Sequence, residues 1–77
     1  MDDRQLREVF AQRLKALRLS QELSTRELAD RLGLPSHSTL VRYENQQRTP
    51  ALHICKLIAE YFHVTVDWLA GIDDKGA

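Results

Sequence analysis

The sequence predicts a single all-α domain of five short helices. Apolar residues recur at helical spacing, capping residues and glycines punctuate the chain at short intervals, and no stretch shows the two-residue alternation of a strand. With 77 residues the chain supports one core rather than two. Residues 1–77 are therefore read as one domain, ordered from about residue 4 to about residue 71. A composition of 43% apolar and 29% charged residues is globular rather than disordered.

Each element has a local signature. Leu6, Phe10, Leu14 and Leu17 line one face of a first helix from about Asp3 to Leu19. The second helix begins with a capping box, Ser24 as N-cap and Glu27 three residues on, and with Leu23 and Leu28 as the matching hydrophobic staple. Leu28, Ala29 and Leu32 point inward, and Gly33 ends the helix in a left-handed conformation. After Leu34 and Pro35, Ser36 is the expected cap of a third helix running to about Asn45. Thr49 and Pro50, a hydroxyl followed by proline, predict the start of a fourth helix that ends near Phe62. A short fifth helix starts at Thr65, with Val64 and Leu69 as a staple, and stops at Gly71. The tail from Ile72 to Ala77 is expected to fray.

Net charge is zero, but it is unevenly spread. Residues 4–48 carry nine Lys or Arg against five Asp or Glu, a balance of +4, whereas residues 49–77 carry two against four, a balance of −2. A basic half of this kind suits one phosphate-facing side. The single cysteine, Cys55, excludes an internal disulfide. The acidic, polar start Met1-Asp2-Asp3-Arg4 is not a signal peptide, and no run approaches the roughly 20 apolar residues of a membrane span. A cytoplasmic location is expected, nucleoid-associated when the protein is bound to DNA.

Two short helices joined by a tight glycine-containing turn outline a DNA-reading helix-turn-helix. In the third helix Leu40, Tyr43 and part of Glu44 face inward. Ser38, Val41, Arg42 and Asn45 then form a stripe at i, i+3, i+4 and i+7 on the opposite face, with His37 at its leading edge. A merely solvated helix would carry Lys, Glu and Gln there. Short hydrogen-bonding side chains in the first turn, His37, Ser38 and Thr39, instead suit the major groove. Arg42 is long enough to grip a guanine or a phosphate, and Val41 to touch a thymine methyl.

The stretch from Phe10 to about Asp73 resembles the phage-repressor and Cro-like (XRE-type) helix-turn-helix domains. The marks are LSTRELADRLGL in the second helix, STLVRYEN in the third, RTPAL after it, and VTVDWLAG near the end. The resemblance implies a compact five-helix fold of the lambda-repressor-like type. It implies base contacts for His37, Ser38 and Arg42, and sugar-phosphate contacts for Thr39 and Asn45. Arg48 is implied at phosphates or the adjacent minor groove. Thr25 stands where the family usually has a phosphate-binding glutamine, and Arg18 and Glu44 match a pair that bridges the first and third helices. The chain departs from the family at three places. The turn GLPSHST has one residue more than the commonest spacing. Gln46 replaces a glycine and is expected to need a left-handed backbone. Gln47 replaces a lysine, leaving a neutral contact to the DNA backbone where a cation is usual, which lowers affinity and flattens the salt dependence.

Other chemistries find less support. His53, Cys55 and His63 suggest a metal site, but His53 and Cys55 point about 200° apart on a helix, and the spacing is not that of zinc ligands. Cys55 falls in an inward register with Leu52, Ile58, Ala59 and Phe62. His63 suits a left-handed helix end, where positive charge is also favoured. Nothing draws Ser, His and Asp together into a catalytic group, so no enzyme activity, cofactor, metal or small-molecule ligand is expected. Ile54, Leu57 and Tyr61, followed by Trp68 and Leu69, form a second apolar stripe. It either wraps against the first helix or forms a homodimer interface, and the dimer is favoured because so small a domain seldom leaves such a stripe wet. The expected function is a DNA-binding transcriptional regulator, a repressor or autoregulator, that binds a near-palindromic operator as a homodimer. The alternative is an antitoxin-like or other interaction module whose apolar surface binds a partner protein.

Overall fold

The computed structural model describes residues 1–72; of the tail expected to fray, Ile72 to Ala77, Ile72 donates its N–H to the Asp67 carbonyl at 2.9 Å, and residues 73–77 lie outside the described residues. Five helices follow in order: α1 Asp3–Ser20, α2 Thr25–Leu32, α3 Ser38–Glu44, α4 Leu52–Phe62 and α5 Val66–Leu69. No strand occurs among the described residues, and the all-α expectation is met. α1 packs against α3 and α5, α2 packs against α3 and α4, and α4 carries α5. Phe10, Leu14, Leu28, Leu40, Ile58 and Leu69 meet in the centre, essentially removed from water. Phe10 stands edge-on to Tyr43, with ring centroids 5.4 Å apart, which ties the middle of α1 to α3.

The start of α2 is built as its sequence indicates. The Ser24 hydroxyl accepts from the Glu27 N–H at 3.0 Å, and the Glu27 carboxylate accepts from the Ser24 N–H at 2.8 Å. Leu23 and Leu28 are both buried. The backbone N–H and hydroxyl of Ser24 hold the Glu27 carboxyl below its ordinary pKa of 4.5. A carboxylate with a lowered folded pKa stabilises fully above its unfolded value and loses that contribution as pH falls through the folded one. Ser24→Ala is expected to cost about 1 kcal/mol in thermal unfolding at pH 7. Glu27→Gln should flatten the dependence of stability on pH below 4.5; an unchanged acid limb would remove the box from the account.

The helix ends also follow local chemistry. Gly33 takes the left-handed conformation at φ 74°, and His63 does so at φ 58° and ψ 43°. Thr65 caps α5 by accepting from the Trp68 N–H at 3.0 Å. Gly71 follows α5 at φ 80°, where an added Cβ would lie 2.8 Å from Val9 Cγ1, so α5 closes onto α1 only with glycine there. Cys55 is buried, and burial pushes its thiol pKa up, which keeps it protonated and unreactive.

Two helix starts differ from expectation. The N-cap of α3 is His37, already in helical backbone conformation and without a side-chain cap. Ser36 lies one residue too early to cap, and its hydroxyl accepts from the Ser38 N–H at 3.1 Å instead. The N-cap of α4 is Ala51, not Thr49. The Tyr43 hydroxyl accepts from the Ala51 N–H at 3.1 Å, and the Ala51 carbonyl accepts from Ile54 and Cys55, so a tertiary bond sets the first turn. The core face of α4 then comprises Ile54, Cys55, Ile58, Ala59 and Phe62. Leu52, expected inward, is 68% exposed.

Candidate nucleic-acid interface

α3 is a short helix held from behind. Leu40 and Tyr43 are buried. Beside them Arg18 of α1 grips Glu44 through two parallel contacts, Nε to Oε2 at 2.7 Å and Nη2 to Oε1 at 2.8 Å. Both side chains are largely removed from water, 12% and 9% exposed. A third Arg18 contact, Nη1 to the Leu23 carbonyl at 2.7 Å, reaches the lead-in to α2. One guanidinium therefore joins α1, the start of α2 and the end of α3. Hydrogen bonding to Glu44 raises the Arg18 pKa further, against the opposing effect of burial, so this group stays charged. The fork geometry suits arginine and not lysine.

With that side committed to the core, the opposite side of α3 is open. Ser38, Arg42 and Asn45 are exposed, and His37, Thr39 and Val41 are half-buried along the same helix. The Asn45 N–H closes the helix on the Val41 carbonyl at 2.9 Å. Gln46 has φ 62°, the left-handed conformation expected at the glycine-replacing position, and the Gln47 N–H donates to the Arg42 carbonyl at 2.8 Å. Gln47 and Arg48 stand exposed in the loop that follows. Thr25 opens the neighbouring helix, half-buried. Among the described residues, neither Arg42 nor Arg48 is paired with a carboxylate.

Two residues beside this face were passed over as contacts in the sequence. Arg26, the second residue of α2, lines a cleft of about 200 Å³ with Asp30, Ser36 and His37, which brings a further cation next to the first turn of α3. The Ser36 and Ser38 hydroxyls also lie within hydrogen-bond reach of each other, 3.0 Å apart.

The apolar stripe of α4 and α5 is narrower than expected. Ile54 and Leu69, read as interface residues, are 7% and 0% exposed and belong to the chain's own core. The periodicity of an apolar residue does not distinguish an inner surface from an outer one. Leu57, Tyr61 and Trp68 pack partly buried against that core. Arg31 donates to the Tyr61 hydroxyl at 3.0 Å. The Arg13 guanidinium lies 4.7 Å from the centroid of the Trp68 ring and donates to the Trp68 carbonyl, which clamps α5 to α1.

A short helix braced from behind and open in front, preceded by a glycine-ended helix at its N-terminal side, defines a helix-turn-helix domain of the DNA-reading kind. The helix-turn-helix family model matches residues 14–69, and the chain belongs to the XRE-type helix-turn-helix family. Over 66 residues, 86% of this chain, it is 30% identical to the uncharacterized HTH-type transcriptional regulator YobD of Bacillus subtilis (strain 168). The chain spans 58% of that relative's length. No solved structure gives a significant match. No described helix is long and apolar enough to cross a membrane.

Proposed function

We propose that the protein is a sequence-specific, double-stranded DNA-binding transcriptional regulator that places α3 in the major groove and acts as a repressor or autoregulator. The observation that carries this reading is the two-sidedness of α3. Its inner side is fixed by Leu40, Tyr43 and Glu44, and its outer side is left with hydrogen-bonding groups and an arginine that has no ion-pair partner among the described residues. His37, Ser38, Val41 and Arg42 are assigned to base edges, and Thr25, Thr39, Asn45, Gln47 and Arg48 to the sugar-phosphate backbone. The basic balance of residues 4–48 supports a phosphate-facing side here. The regulatory name of the Bacillus relative agrees with the assignment.

The regulator is proposed to work as a homodimer, using what remains partly exposed of the α4 and α5 stripe, Leu57, Tyr61 and Trp68. Two-fold pairing presents two copies of α3 to half-sites about one DNA turn apart, hence a near-palindromic operator. Control then comes from occupancy: the dimer blocks or recruits polymerase according to where its operator lies.

Selection of bound duplexes from a random library tests the reading. Enrichment of a near-palindromic motif is expected. No enrichment at low salt would overturn it in favour of the interaction-module reading, for which a groove of about 390 Å³ lined by Lys56, Ala59, Glu60, His63, Val64 and Val66 and the exposed Leu52 are the available surface.

A further inference from the structure

We propose that Arg26 is a further DNA contact of this face, a cation that grips one backbone phosphate at the leading end of α3. The proposal rests on α3 being the DNA-reading helix. Arg26 is exposed on the first turn of α2, and with Asp30, Ser36 and His37 it lines the cleft between α2 and the turn that leads into α3. The fold makes no use of its charge. A cation in the first turn of a helix opposes the helix dipole, and among the described residues the Arg26 guanidinium has no ion pair or hydrogen bond that offsets this. Its neighbour Glu27 is committed to the Ser24 N–H at 2.8 Å. Asp30 follows at i+4, but a cation placed N-terminal to its carboxylate is the poorer order for a helix pair. Arg31, on the same helix, by contrast donates to the Tyr61 hydroxyl at 3.0 Å.

The place of this guanidinium fits a phosphate better than a base. α3 has seven residues, a length of about 10 Å, and the major groove is about 12 Å wide with a phosphate backbone on either bank. Arg26 belongs to the neighbouring helix and stands at the His37 end of α3, whereas Arg48 stands exposed in the loop at the other end. One cation at each end of so short a helix meets one backbone at each. Ser36, in the same cleft, adds an exposed hydroxyl, a neutral donor suited to the same phosphate. Arg26 thereby supplies, at another phosphate, a cation in place of the one that Gln47 does not carry.

The test uses the whole chain and an operator selected by the wild-type protein. Single methylphosphonates, each removing one backbone charge, replace the phosphates of the operator in turn, and every duplex is titrated with wild type, Arg26→Ala, Arg26→Lys, Arg31→Ala and Arg48→Ala. Wild type should lose affinity at the phosphates it contacts. Arg26→Ala should be insensitive at one of these positions in each half-site, a different one from Arg48→Ala, and should lower the salt slope by about one. Arg26→Lys should keep the slope, and Arg31→Ala should keep both slope and pattern. Because the charge opposes the dipole of α2, Arg26→Ala should also unfold at a temperature no lower than wild type, a result that a structural arginine would not give. An unaltered methylphosphonate pattern for Arg26→Ala, or an equal fall in slope for Arg31→Ala, would overturn the proposal, and a lower unfolding temperature alongside the unaltered pattern would assign Arg26 to the fold instead. A wild-type protein that selects no operator would overturn the DNA-reading assignment itself.

Discussion

Arg18→Ala is expected to cost up to about 3–5 kcal/mol of folding stability, the range for removing one partner of a fully buried ion pair, because this pair is largely though not wholly removed from water. The arginine makes two contacts to Glu44 and one to the Leu23 carbonyl. Its loss strands a carboxylate that is only 9% exposed and leaves a backbone carbonyl without its donor. Small domains hold roughly 5–15 kcal/mol in total, so urea unfolding of this variant should begin at very low denaturant. Replacing both partners with apolar residues of similar volume, Arg18→Met with Glu44→Leu, should recover most of the loss, because no charge is then left alone. If the single and double variants unfold alike, the pair is not a coupled unit. The double variant carries a second expectation: a stable domain in which α3 has lost its electrostatic tie to α1 should bind its operator more weakly than wild type.

The other large effect concerns DNA. Arg42→Ala should reduce specific binding by about 1–3 kcal/mol, roughly five- to 150-fold, if the guanidinium reads a base bidentately. Arg42 is exposed and unpaired among the described residues, so the truncation leaves no buried charge behind and the loss reports the interface rather than the fold. Arg48→Ala provides the contrast. A phosphate contact from the loop after α3 carries no sequence information, so its loss should weaken all duplexes alike and lower the salt slope by about one. Affinities measured on operator and random DNA at several salt concentrations separate the two. Equal losses on both duplexes for Arg42→Ala would remove it from the reading set.

Much of the fold was legible because the decisive signals are local. The Ser24 and Glu27 box, the left-handed Gly33 and His63, and the Thr65 cap depend on residues at most a few positions apart, and each occurs where the sequence placed it. The starts of α3 and α4 were less legible because tertiary contacts set them. Ala51 becomes the cap of α4 since Tyr43, eight residues earlier, holds its N–H, and no rule of propensity contains that bond. Two members of the apolar stripe were misplaced for a different reason. Ile54 and Leu69 have the spacing of an interface, but in so small a domain the same spacing also fills the core. Arg18 and Glu44 lie 26 residues apart, and only the family resemblance linked them. Arg13 and Trp68, 55 residues apart, had no such guide. For the proposed reading face, the period of α3 was sufficient to separate its two sides, whereas the contact between the Ser36 and Ser38 hydroxyls appears only in the folded turn.

Chemical protection of guanine N7 and adenine N3 on the selected duplex bears most directly on whether α3 reads DNA from the major groove as one half of a dimer. Guanine N7 lies in the major groove and adenine N3 in the minor. The account predicts N7 protection in two sectors centred about 10 base pairs apart, on one face of the duplex, with loss of protection in both sectors for Arg42→Ala. Protection confined to adenine N3, or a single N7 sector at saturating protein, would contradict it.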